Sequence, residues 1–193
     1  ATDPRVLNWA RTVADAWAKP EPHPDINPAA EDEPLPSLLL TGPTGTGKTH
    51  QAYGALRHIA QAGPRRYGLI ATTAADMYGA LRPGGAPGEA EYALKRLAEI
   101  PLLLLDDLGS AKASEWTEEV TYRVINERYN QCRPTLFTSN LPPRAPRDDQ
   151  GRPTGPDLTG TLGDRIASRL AQMTTVVDIV GTDRRRTPHG DAA

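Results

Sequence analysis

TGPTGTGKTH occupies residues 41–50, directly after the apolar run LPSLLL at 35–40. Three glycines and a lysine follow a strand-like segment. Glycine accepts positive φ, and it lets backbone N–H groups turn inward around an anion with no Cβ in the way. The spacing Gly42, four residues, Gly47, Lys48, Thr49 is the Walker A pattern. It precedes KTHQAYGALRHIAQAG, which has helical periodicity and a glycine stop. A helix starting at Lys48 adds its positive N-terminal dipole to the loop. Lys48 is placed to reach the β- and γ-phosphates, and the Thr49 hydroxyl to ligate Mg²⁺. The nucleotide-contact candidates are Gly42, Pro43, Thr44, Gly45, Thr46, Gly47, Lys48, Thr49 and His50, with ATP and Mg²⁺ as the ligands.

PLLLLDD at 101–107 is apolar on both faces, as a buried parallel strand is, and ends in two carboxylates. Ligands of open α/β sheets bind at that end of the strands. This is the Walker B form: Asp106 for Mg²⁺, Asp107 to polarise the attacking water. Neighbouring residues of an extended chain point opposite ways, so the two are expected to take separate roles. PTLFTSN at 134–140 ends in Asn140, which either orients water against the γ-phosphate or starts a turn. GDRIASRL places Arg165 and Arg169 four apart on one helical face. They either act on ATP held by a neighbouring subunit or pair at the surface.

Further strands are expected at 37–41, 67–72 and 174–180, and helices at 3–19, from Thr73, and from Ser114 with a glutamate completing its cap. Five strands alternating with helices predict an α/β fold with a parallel sheet. Residues 20–36 hold six prolines and read as a linker, so the division is 1–36 helix and linker, 37–186 core, 187–193 tail. Trp9 and Trp17 form either a sticky face or a seam against the core.

The chain has 193 residues, a net charge of -2 and a pI of about 6.1, so bulk charge points to neither nucleic acid nor membrane. Basic residues do crowd the last third, at Arg144, Arg147, Arg152 and 184–186. One cysteine, Cys132, rules out a disulfide within the chain. With no membrane-length apolar run and no signal peptide visible, the expected location is the cytoplasm.

GPTGTGKT, LLLLDDLG, TLFTSN and GDRIASRL, in this order, resemble the AAA+ ATPases. Within them the chain is similar to the helicase loaders of the DnaC type and to the IstB-like transposition helper proteins. The resemblance runs from about Leu38 to Arg186 and implies a P-loop NTPase core with a five-stranded parallel sheet flanked by helices. It implies that Asn140 is the sensor-1 residue and that Arg169, with Arg165 second, is the arginine finger of a nucleotide-dependent homo-oligomer. It implies a replicative helicase and single-stranded DNA as partners. For DNA the candidates are Arg82, Lys95 and Arg96 for phosphates, with Tyr78 for stacking. The pattern departs after the fifth strand, where GTDRRR stands in place of a helical lid domain; Arg185 there is a further candidate for nucleotide contact. A nucleotide-gated adaptor with negligible hydrolysis is an alternative, since Asp107 is shorter than the usual glutamate. A small-molecule kinase leaves TSN and RIASRL unexplained.

Overall fold

Every second side chain of a strand faces the same way, and three strands here feed two cores at once. β1 (Ser37–Thr41), β3 (Leu102–Asp106) and β4 (Thr135–Ser139) are buried at every position. Leu38, Leu40, Leu102, Leu104 and Leu136 enter one core, and Leu39, Leu103, Leu105 and Phe137 the other. That double burial is why the runs are continuously apolar. With β2 (Leu69–Thr73) and β5 (Thr174–Asp178) they form one parallel sheet in the order β2-β3-β4-β1-β5. The computed structural model describes residues 2–18, 35–62, 68–84, 86–181 and 183.

Helices α1 (Pro4–Ala18) and α2 (Lys48–Ala62) cover the first face. Helices α3 (Ala74–Leu81), α4 (Glu89–Glu99), α5 (Glu115–Asn130), α6 (Leu158–Leu162) and α7 (Asp164–Met173) cover the second. The chain therefore leaves β1 toward one face and β4 toward the other. A crevice opens where two neighbouring strands diverge like this, beyond their C-terminal ends.

Most expected elements form, with ends moved by a residue or two. The first helix runs 4–18, the third strand stops at Asp106, and the fifth stops at Asp178. Thr73 caps α3 as expected. Ser114 caps α5, but its reciprocal partner is Thr117 rather than a glutamate, with the Ser114 N–H donating to Thr117 Oγ1 at 2.9 Å. A hydroxyl at the third helical position accepts that bond as a carboxylate would.

One expectation about an aromatic residue is corrected, and one open alternative is decided. Tyr78 is buried, its hydroxyl 2.7 Å from Thr121 Oγ1 and its ring 5.9 Å from Trp116, so it has no free face for a base. Trp9 and Trp17 are buried against α2 and β1, and Trp9 Nε1 donates to Pro36 O at 2.6 Å. They belong to the core and form no sticky face. Arg185, the basic run at 184–186 and most of the proline-rich linker lie outside the described residues.

Candidate nucleotide site

The glycine loop joins the end of β1 to the first turn of α2, so the loop and the helix N-terminus line the crevice. Gly42 and Gly45 both hold positive φ, and the first is also hemmed in by backbone. Gly42 has φ +138°, and a Cβ there would stand 2.3 Å from the Ile179 carbonyl oxygen. Gly45 has φ +84°, and a Cβ there would stand 1.9 Å from Asp183 Oδ1. The chain beyond β5 flanks the loop: Ile179 N–H donates to Thr41 O at 2.8 Å, and the Thr41 hydroxyl donates to Asp178. Thr46 Oγ1 ties the loop to itself through Pro43 O at 2.9 Å.

Lys48 is 6% exposed. Its ammonium donates to Gly42 O at 2.8 Å, Pro43 O at 2.9 Å and Asn140 Oδ1 at 2.7 Å. Asn140 Nδ2 in turn donates to Asp107 Oδ1 at 2.8 Å. An ammonium only donates and a carboxylate only accepts, so chemistry fixes the orientation of the Asn140 amide between them. Thr49 Oγ1 sits 3.0 Å and 3.1 Å from the two oxygens of Asp106. The structure thus brings together Lys48, Thr49, Asp106, Asp107 and Asn140.

By the two-residue period Asp106 shares a face with Leu102 and Leu104, the face covered by α2. In an extended chain Asp107 would point the other way. It does not, because its backbone is left-handed at φ 59°. Both carboxylates line the same cleft of about 660 Å³, together with the glycine loop, His50 and Asn140. The two acids therefore face one cavity, which strand alternation alone would not give, and they differ in their partners.

Sequence reasoning missed Thr138. Its hydroxyl donates to Asp106 Oδ1 at 2.5 Å and accepts the Asp107 N–H at 2.9 Å. The available signal was a hydroxyl inside an otherwise apolar strand, two residues before Asn140. A second cavity of about 710 Å³ opens at the opposite end of the strands, beside Ser37, Arg128 and Arg133; it has neither a glycine loop nor paired acids.

Arg165 and Arg169 are away from the cleft, on α7, packed against α5 of their own chain. The Arg165 guanidinium lies 4.0 Å from the Tyr122 ring centroid and that of Arg169 4.5 Å from Tyr129. Arg169 Nε also donates to Asn126 Oδ1 at 3.0 Å.

The donor set fits a magnesium nucleotide. Mg²⁺ retains water and is held through one or two carboxylates plus substrate phosphates, not by an all-protein cage. Thr49 and Asp106 provide such a partial set, and among the described residues no group of three or more His, Cys, Asp or Glu converges. Nor, among them, is any helix long and apolar enough to cross a membrane.

Comparison with known proteins agrees with this chemistry. A protein named for ATP binding in insertion sequence IS1162 of Pseudomonas fluorescens is 38% identical over 106 residues, 55% of this chain and 44% of that protein. The replicative helicase loader DnaC of Escherichia coli (strain K12) is 24% identical over 143 residues, 72% of this chain and 51% of that protein. The chain spans about half the length of these relatives. The crystal structure of the DnaC helicase loader matches with a TM-score of 0.65 at 26% identity over 93% of each chain. DnaI matches at 0.63 and 21% identity over 94% of this chain and 83% of that one, a likeness of fold. The architecture is that of the α/β P-loop NTPases of the AAA+ type. The family model for IstB-like ATP binding proteins matches residues 33–189, a span containing the glycine loop, both acids and Asn140, and the chain belongs to that family.

Proposed function

We propose that this protein hydrolyses ATP at a site shared between copies of itself, and that its nucleotide state governs its grip on a partner that acts on DNA. The observation that carries the reading is the line from Lys48 through Asn140 to Asp107. It joins the group that would bind phosphate to the group that would handle water.

In this reading the loop N–H groups and Lys48 hold the phosphates, and Thr49 with Asp106 holds Mg²⁺. The metal, when bound, neutralises phosphate charge. Asp107 accepts a hydrogen bond from the attacking water, and Asn140 orients it. Arg169 of a neighbouring copy supplies positive charge to the γ-phosphate, with Arg165 the second candidate.

The partner of first choice is a replicative helicase, with single-stranded DNA as a second ligand, by analogy with DnaC. The family match and the insertion-sequence relatives favour a second reading, a transposition helper acting with a transposase. For DNA contact, Tyr92 takes the place proposed for Tyr78. It is 70% exposed, and Lys95 and Arg96 follow at helical spacing on α4. Base stacking on an aromatic contributes about 1–3 kcal/mol. Tyr92→Ala is therefore expected to weaken binding of a fluorescent single-stranded oligonucleotide about tenfold, and unchanged binding removes α4 from the DNA surface.

Lys48→Ala tests the site itself. Losing charge-assisted bonds worth about 3 kcal/mol is expected to weaken nucleotide binding about a hundredfold, read by titration with a fluorescent ATP analogue. Undiminished binding would sink the assignment. If the parent chain binds ATP yet turns none over with DNA and helicase or transposase present, the protein is a nucleotide-gated adaptor.

A further inference from the structure

We infer that Thr138 is the positioning residue that makes two adjacent carboxylates serve one cleft. The inference rests on the nucleotide reading and adds a residue to it.

Thr138 is 1% exposed and pairs in register with Leu40 of β1, next to the glycine loop. A hydroxyl has one proton and two lone pairs. An ionised carboxylate only accepts, and a backbone N–H only donates. The Thr138 proton therefore goes to Asp106 Oδ1 at 2.5 Å, and its lone pair takes the Asp107 N–H at 2.9 Å. Neither bond can reverse.

Each has a consequence. The bond to Asp106 holds its carboxylate where the Thr49 hydroxyl meets both oxygens. The bond from Asp107 N–H, with Leu108 N–H donating to Thr138 O at 2.8 Å, anchors the chain on both sides of the left-handed residue. A non-glycine residue in that region carries strain and persists only where its surroundings over-determine it. Here the strain turns the Asp107 side chain back to Asn140 instead of away to the other core. Thr138 borders the cleft but is almost fully buried, and its hydroxyl is spent on the two acids, so it acts through them.

The test is Thr138→Val, which keeps the shape and removes the hydroxyl, beside Thr138→Ser, which keeps the hydroxyl. Groups that orient metal ligands are worth about 10–100-fold in metal affinity or activity. The Mg²⁺ concentration giving half-maximal enhancement of fluorescent ATP analogue binding is expected to rise about tenfold in the valine variant. ATP turnover should fall by a similar factor, with KM little changed, and serine should restore both to within about twofold. A purely structural role would lower the melting temperature and leave the Mg²⁺ midpoint where it was; that result overturns the inference. If the valine variant fails to fold, Thr138→Ala, which leaves room for a water, is measured the same way. A parent chain that binds no nucleotide is a failure of the site reading instead. A parent that responds to Mg²⁺, with a folded valine or alanine variant sharing its midpoint, is a failure of Thr138 alone.

Discussion

Arg169→Ala protein is expected to bind ATP as the parent chain does and to hydrolyse it about a thousandfold more slowly, the low end of what a trans-acting arginine contributes. In a single copy this side chain stacks on Tyr129, bonds Asn126 and does not line the cleft. Nucleotide affinity of the isolated chain should therefore survive its loss. The shared-site reading adds a sharper outcome. Arg169→Ala protein has an intact cleft, and Asp107→Asn protein has an intact arginine. Mixed, they form some interfaces carrying one good half of each, and turnover should return. Turnover is followed by phosphate release with single-stranded DNA present. No recovery on mixing, in variants that melt like the parent, excludes the shared site. Loss of ATP affinity in the Arg169→Ala monomer excludes it too, because the arginine would then act on its own cleft.

The second large effect lies far from the nucleotide. Arg128→Met is expected to remove about 3–5 kcal/mol of stability, since each buried carbonyl left without a donor costs about 1–3 kcal/mol. Arg128 is fully buried, and among the described residues no carboxylate contacts it. Its guanidinium instead donates to Leu97 O at 2.9 Å, Ala98 O at 3.3 Å, Ile100 O at 2.8 Å and Pro134 O at 2.8 Å, and Nε donates to Thr135 Oγ1 at 2.7 Å. One side chain thus satisfies the carbonyls at the end of α4 and clamps them to the start of β4. Burial, with Arg133 nearby adding repulsion, pushes its pKa down to about 9, so it is still a cation at pH 7. Methionine fills the volume but leaves those carbonyls without a donor. For a domain this size the loss corresponds to a drop in melting temperature of about 10 °C. Arg128→Lys should recover only part of it, since a point ammonium cannot span acceptors set around a planar fork. A methionine variant that melts within about 2 °C of the parent would show that the clamp contributes little.

Arg128 illustrates what was hidden in the sequence. It sits in a long helix among other charged residues; its spacing puts it on the face of Val120, Thr121, Val124 and Ile125, but its charge reads as solvated. Its partners are carbonyls at the end of α4 and just before β4, with the Thr135 hydroxyl, as far as 31 residues away in sequence. Thr138 was hidden for the same reason, since its role depends on β3 lying beside β4. Tyr78 misled in the opposite direction: an aromatic a turn before Arg82 suggested a base platform, but the packing of α3 on α5 turns it inward.

The sequence by itself determined the glycine loop between a strand and a helix, the strand that ends in paired acids and the parallel-sheet class. Those properties are carried by short spacings: glycines where positive φ is needed, and apolar runs where both faces of a strand are covered. Tertiary structure alone decided the strand order, the turn of Asp107 into the cleft, the Thr138 link between the acids and the packing of Arg165 and Arg169 on α5. Each of these depends on which strand or helix becomes whose neighbour. That choice is made by burial summed over the whole chain, and no local pattern of residues encodes it.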